Sequence, residues 1–264
     1  MPRVALGNHK GGAGKTAATV NLAAAFAEAG HRVLIVDLDP QANASRRLGI
    51  GYGAPELTTS EVVKSGEEGV AADAITSAGW PEPYASQVDV LPARFDLENR
   101  ISEAAVIGAA GRLRRALAGA DEGYRITLLD CPPSLGHLTQ LAMVAADRAL
   151  CPVEPEYDSV EGAIRFRDFI SSNAGELGNP ELTMLGYLVS RVRAQVGAHA
   201  FQIEAFDETF GAEQVWHPHI PERAAIKDAA DSAVPLRVYG GSSAREQANL
   251  YAQHAQRLLE EVPA

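Results

Sequence analysis

Between Asn8 and Thr16 the chain reads Asn-His-Lys-Gly-Gly-Ala-Gly-Lys-Thr, a run whose residue types suit the holding of a phosphate chain. Such an anion is wrapped by backbone N–H groups, and a Cβ on the wrapping residues would keep the backbone at a distance. Gly11, Gly12 and Gly14 remove that obstacle, with Ala13 between them. Lys15 is placed to reach the β and γ phosphates, and the Thr16 hydroxyl to bind Mg²⁺. Two acid-tipped apolar runs offer the complementary charges. Val33-Leu34-Ile35-Val36-Asp37 leads through Leu38 to Asp39, and Ile126-Thr127-Leu128-Leu129 ends at Asp130. A hydrophobic run closed by an aspartate is the arrangement in which a carboxylate holds a water on the metal.

The elements around these residues come in the order the chemistry requires. Val4-Ala5-Leu6-Gly7 is a short apolar strand directly before the loop. After it, Val20, Leu22, Ala23, Phe26 and Ala27 recur at helical spacing from Thr16 until Gly30 stops the helix. Strand, glycine loop and helix in sequence make a P-loop. Continuous apolar runs are strands buried on both faces of a parallel sheet, and ligands bind at the C-terminal ends of such strands. Further strands are expected at Val88–Leu91, Arg148–Val153, Met184–Val189 and near Val215. Helices are expected at Ser60–Lys64, Val70–Ser77, Leu138–Ala145, Ser159–Ala174, Ala198–Phe210 and Ser243–Glu261, with looser helical material over Phe95–Ala120. The alternation predicts an α/β fold: a single domain over residues 1–264 with a mostly parallel twisted sheet and helices on both faces.

Lys10-Gly-Gly-Ala-Gly-Lys15-Thr16 resembles the deviant Walker A loop of the ParA/MinD group of ATPases, and the likeness to ParA-type partition ATPases continues along the chain. Val33–Asn43 is similar to the family's second motif, Asp130–Thr139 to its Walker B and switch segment, and Cys151–Tyr157 with Glu161-Gly162 to the strand and helix start that follow. His219-Ile220-Pro221 sits where the family has an Ile-Pro turn lining the base pocket. The resemblance implies ATP and Mg²⁺ as ligands. It further implies that Lys10 crosses a dimer interface to the partner's nucleotide, that Asp39 positions the attacking water, and that Thr16 and Asp130, with Asp39 close by, organise the metal. Asp37 would support the metal shell. Residues 10–17, with Ala17 following the hydroxyl, and Pro221 would contact nucleotide. It also implies a slow, partner-stimulated ATPase whose turnover switches the dimer state.

Departures from the family pattern are His9 where glutamine is common, Ala17 where a hydroxyl is usual, and Glu222 and Ala225 at places often basic in DNA-binding relatives. With the first strand read so close to Met1, no separate N-terminal helix-turn-helix domain is expected.

Composition narrows the partners. The formal charge is −11, with 17 acidic and 14 basic residues in 1–150 and 17 and 9 in 151–264, so any DNA contact must come from a local patch. Candidates are Arg191, Arg193, Arg223, Lys227, Arg237 and Arg245. Cys131 and Cys151 lie in apolar stretches and are expected to be buried, reduced packing residues. His217 and His219, flanking Pro218, are expected to be a loop pair and not a ligand set. No apolar run has membrane-spanning length, and the tail from Leu250 reads as a core-packing helix. The expected protein is a cytoplasmic, nucleoid-associated homodimer that binds nonspecific DNA and answers to a ParB-like centromere-binding partner. The alternatives are a ParA-like ATPase positioning a protein complex and a membrane-cycling regulator like MinD.

Overall fold

The computed structural model describes residues 1–53, 55–193, 195 and 197–262. Its strands are β1 (Arg3–Leu6), β2 (Val33–Asp37), β3 (Thr76–Ser77), β4 (Val88–Leu91), β5 (Ile126–Asp130), β6 (Arg148–Val153), β7 (Thr183–Val189) and β8 (Val215–Trp216). Its helices are α1 (Lys15–Glu28), α2 (Asn43–Arg47), α3 (Thr59–Ser65), α4 (Arg112–Ala116), α5 (His137–Ala145), α6 (Tyr157–Asn173), α7 (Gly197–Phe210), α8 (Ala224–Asp231), α9 (Leu236–Tyr239) and α10 (Gly241–Glu261).

The sheet order is β3-β4-β2-β5-β1-β6-β7-β8, parallel throughout except for the β3–β4 pair. β1 lies in the interior of the sheet, between β5 and β6, because Val4, Ala5 and Leu6 are apolar on both of its faces. Alternation then sorts its side chains: Ala5 joins the core under α3 to α7, while Val4 and Leu6 join the core under α1 and α10. Register brings the acids together, since Asp130 pairs with Leu6 on one side and with Asp37 on the other. The loop after β1 therefore opens beside both carboxylates, at the C-terminal edge of the sheet.

α10 buries Ala244, Ala248, Tyr251, Ala255 and Leu258, within the same core as α1. The tail is thus a packing helix. Cys131 and Cys151 are buried free thiols, as their apolar surroundings predict. Among the described residues no helix is long and apolar enough to cross a membrane.

Two stretches differ from the sequence expectation. Val70–Ser77 is not one helix. A 3₁₀ turn at Val70–Asp73 gives way to β3, which pairs antiparallel with β4 and is fixed by Ser77 Oγ donating to Asp89 at 2.8 Å. Two residues of strand carry no alternation to read. Phe95–Ala120 resolves into 3₁₀ segments at Phe95–Ala105 and Ala109–Gly111 before the short α4, with Gly108 at φ 76° between them.

Candidate functional site

The loop between β1 and α1 is built as an anion cradle. Gly12 and Gly14 take φ of 86° and 85°, a region that glycine enters without steric cost. A Cβ on Gly14 would also stand 2.8 Å from Ser190 Oγ. Among the described residues, no protein acceptor takes the N–H groups of Gly11 through Ala17, whereas Ala18 N–H already donates to Gly14 O at 2.8 Å. A run of unshared donors at a helix N-terminus is completed by an anion.

Asn8 fixes the start of the loop. Its Nδ2 donates to Pro152 O at 2.9 Å and Ser159 O at 3.3 Å, and its Oδ1 accepts from Lys10 N–H at 2.9 Å. Gly162 on α6 permits this approach, because a Cβ there would stand 2.5 Å from Asn8 Oδ1.

Lys15 spans the loop, its Nζ donating to Lys10 O at 3.0 Å, and only 7% of the residue is exposed. Burial lowers its pKa, opposed most strongly by Asp130. Thr16 Oγ1 donates to Asp130 Oδ2 at 2.8 Å, and Thr19 Oγ1 to Asp130 Oδ1 at 2.9 Å. Burial pushes the Asp130 carboxyl up to about 6, against the pull of those two hydroxyls. Asp37 is pushed up to about 7, by burial first and then by the charge of Asp130. Hard oxygen donors crowded against one another in this way suit a divalent cation, whose charge would relieve their repulsion. Thr16 and Asp130 are the residues that could hold it.

The acids are not equivalent. Asp37 is engaged on three sides, accepting from Ser45 N–H at 2.8 Å, Ser45 Oγ at 2.7 Å and Asp39 N–H at 3.1 Å. Asp39 accepts one bond, from Gln41 N–H at 2.9 Å, and is 8% exposed. Asp39 thus keeps an oxygen to offer at the mouth. The arrangement can position a phosphoryl group and stabilise charge on it, which is most of what phosphoryl transfer asks of a protein.

A family model described as an AAA domain matches residues 1–184. The chromosome-partitioning ATPase Soj of Thermus thermophilus is 37% identical over 99% of this chain and 95% of its own length. The chain belongs to the ParA/Soj family of partition ATPases. The chromosome partitioning protein ParA of Caulobacter vibrioides is 33% identical over 94% of this chain and 90% of its own. Among solved structures, cobyrinic acid a,c-diamide synthase from Mycobacterium smegmatis with bound ATP analogue and magnesium superposes with a TM-score of 0.80 at 27% identity, covering 98% of this chain and 95% of that one. The fold is that of the ParA/MinD P-loop superfamily.

Around this ParA-family cradle lies a set of ion pairs that no local sequence pattern announces. Lys10 Nζ meets Glu156 Oε2 of the same chain at 2.9 Å. Arg193 pairs with Glu222 at 2.6 Å and stands 3.8 Å from Glu156. Arg191 pairs with Glu154, stands 3.5 Å from Glu222, and donates to Gly12 O at 3.1 Å. In the sequence Glu154 and Glu156 stand out only as part of a family-like motif, and Ser190 and Asn8 carry no signal beyond their place beside strand ends.

The remaining basic candidates divide. Arg237 pairs with Glu28 and Asn249 on the α1–α10 side. Arg223, Lys227 and Arg245 are exposed, and among the described residues none forms an ion pair with a carboxylate. Pro221 joins the loop after β7, where Val192 N–H donates to Ile220 O at 3.1 Å and Glu222 N–H to Val192 O at 2.9 Å. His217 and His219 stack with ring centroids 4.4 Å apart, and burial, with His217 beside it, brings His219 down to about 4. Among the described residues no group of metal-ligating side chains forms there.

Proposed function

We propose that this chain is a Mg-ATP-dependent dimerising switch for plasmid or chromosome partition. The unshared N–H groups of Gly11 to Ala17, closed over by Lys15 and floored by the Thr16–Asp130 pair, carry this reading. Thr16 and Asp130 would hold magnesium, which supplies positive charge to the phosphate oxygens when bound. Lys15 reaches the phosphates from within the protomer. Asp39 positions the attacking water with its less committed oxygen. Lys10 serves the nucleotide of a second copy, and its bond to Glu156 is the resting contact of a separate protomer. Ala17 and Pro221 line the nucleotide. Hydrolysis is slow and answers to a ParB-like centromere-binding partner, so the chain works in the cytoplasm at the nucleoid surface.

The dimer would present Arg223, Lys227 and Arg245 to nonspecific DNA, since these cations have no carboxylate to satisfy within the described fold. α10 buries its apolar face in the core it shares with α1, which argues against a membrane-cycling role. Glu222, which neutralises Arg191 and Arg193, favours a second reading in which the same switch positions a protein complex.

Binding to duplex DNA of arbitrary sequence, measured against salt with ATP, with ADP and without nucleotide, separates the two. Asp39→Ala should hold the ATP state, accumulate as dimer and bind DNA with a steep loss on added salt. A dimer that ignores DNA at low salt would overturn the partition reading, and a monomeric Asp39→Ala that turns over ATP normally would overturn the role of Asp39.

A further inference from the structure

We infer that Arg191 is a positioning residue of the phosphate loop and not part of the DNA surface. The inference rests on reading the loop as a nucleotide cradle. Arg191 follows β7 with φ 56°, a left-handed conformation that a non-glycine residue holds only when its surroundings enforce it. That backbone delivers the guanidinium to three groups at once: Gly12 O at 3.1 Å, the Glu154 carboxylate, and Glu222 at 3.5 Å. The fork of donors on arginine can serve three acceptors in this way, which a lysine ammonium at the end of a flexible stem cannot do in one geometry.

The contact with Gly12 has a direct effect on the cradle. A trans peptide is planar, so its C=O and N–H point in opposite directions. Pinning Gly12 O toward Arg191 therefore aims Ala13 N–H away from Arg191, and Ala13 is one of the donors without a protein acceptor among the described residues. Gly12 at φ 86° has no side chain to hold it, so the pin comes from outside the loop. The other end of the guanidinium reaches Glu222, directly after the Ile220-Pro221 turn. One side chain thus links the phosphate side of the site to the turn across its mouth, and a ligand touching both would find them already in register. Glu154 is 6% exposed and lies against Arg191, which anchors the guanidinium from below.

The test uses fluorescent ADP with magnesium and duplex DNA on the full chain. Arg191→Gly removes the side chain without adding strain to the backbone. The double variant Glu154→Gln/Arg191→Gly also removes the carboxylate that would otherwise be stranded. Both should raise the dissociation constant for Mg-ADP about tenfold, the effect of one charge-assisted hydrogen bond, while the nucleotide-free double variant unfolds at the wild-type temperature. Arg191→Lys should recover part of the affinity. At saturating ATP, DNA affinity and its salt slope should stay as in wild type.

Unchanged ADP affinity in both glycine variants would overturn the inference. So would weakened DNA affinity with a salt slope reduced by about one and normal ADP binding, which would make Arg191 a phosphate-backbone contact after all. Lys15→Ala serves as the control: if it still binds ADP normally, the cradle reading itself has failed, and the inference with it.

Discussion

The mouth of the phosphate loop and the surface around the starts of α8 and α10 use the same basic side chains in opposite ways. At the mouth, Lys10, Arg191 and Arg193 each meet a carboxylate from a loop other than their own, Glu156 and Glu154 from the loop between β6 and α6 and Glu222 from the loop before α8. At the helix starts, Arg223, Lys227 and Arg245 stand exposed without such partners among the described residues. Arginine in a sequence says only that a charge is available. A cation whose charge is answered inside the fold must give up that partner before it meets an outside anion, as Lys10 would have to leave Glu156, whereas one left unanswered is free to attract it directly.

The largest effect should come from within the mouth. Lys15→Ala should weaken Mg-nucleotide binding at least about a hundredfold, since it removes a buried charge from the phosphates, and calorimetry would show it. Retained binding would place the nucleotide elsewhere and dissolve the contrast. A smaller effect is expected on the outer surface. Arg223→Glu and Lys227→Glu should weaken DNA binding by the ATP state and lower the salt slope by about one for each DNA phosphate that is no longer neutralised. Arg193→Ala, drawn from the mouth, should leave that slope alone. Equal losses from both groups would show that pairing within the protomer does not sort these residues.

The smallest effect is on stability against pH without nucleotide or metal. The folded-state pKa values of Asp130, about 6, and Asp37, about 7, lie above those of free carboxyls. The folded chain therefore holds protons that the unfolded chain releases, and this contribution to stability falls as pH rises from about 4 toward about 7. Asp37→Asn should flatten the decline in unfolding temperature across that window. An identical decline in the variant would assign it to the general negative charge of the chain.

Much of the site is legible in the amino-acid sequence because its parts are contiguous. The glycine loop, Lys15, Thr16 and the two acid-tipped strands each carry their meaning within a few residues, and a parallel sheet necessarily gathers strand ends at one edge. The strands from Val33 to Asp37, Val88 to Leu91, Ile126 to Asp130 and Arg148 to Val153 stand where their apolar runs predict. The features that sequence does not reveal depend on pairs far apart in the chain. Arg191 and Gly12 are 179 positions apart, and nothing in either neighbourhood specifies the other. Gly162 is similar: its place in a helix gives no hint that Asn8 packs against its bare Cα. β3 has no local signature because its reason to exist is the exposed edge of β4, a property of the assembled sheet.

The interior position of β1 bears on how the protein is made. β1 has neighbours drawn from residues 126–130 and 148–153, and α1 behind it shares a core with a helix that ends at Glu261. β1 thus waits for well over a hundred following residues to be made before it can take its place, an unusually non-local task for one short strand. A translation product cut short before β6 would carry the whole nucleotide motif at residues 8–16 without the strands that hold β1 in the sheet, and so without the ability to use it.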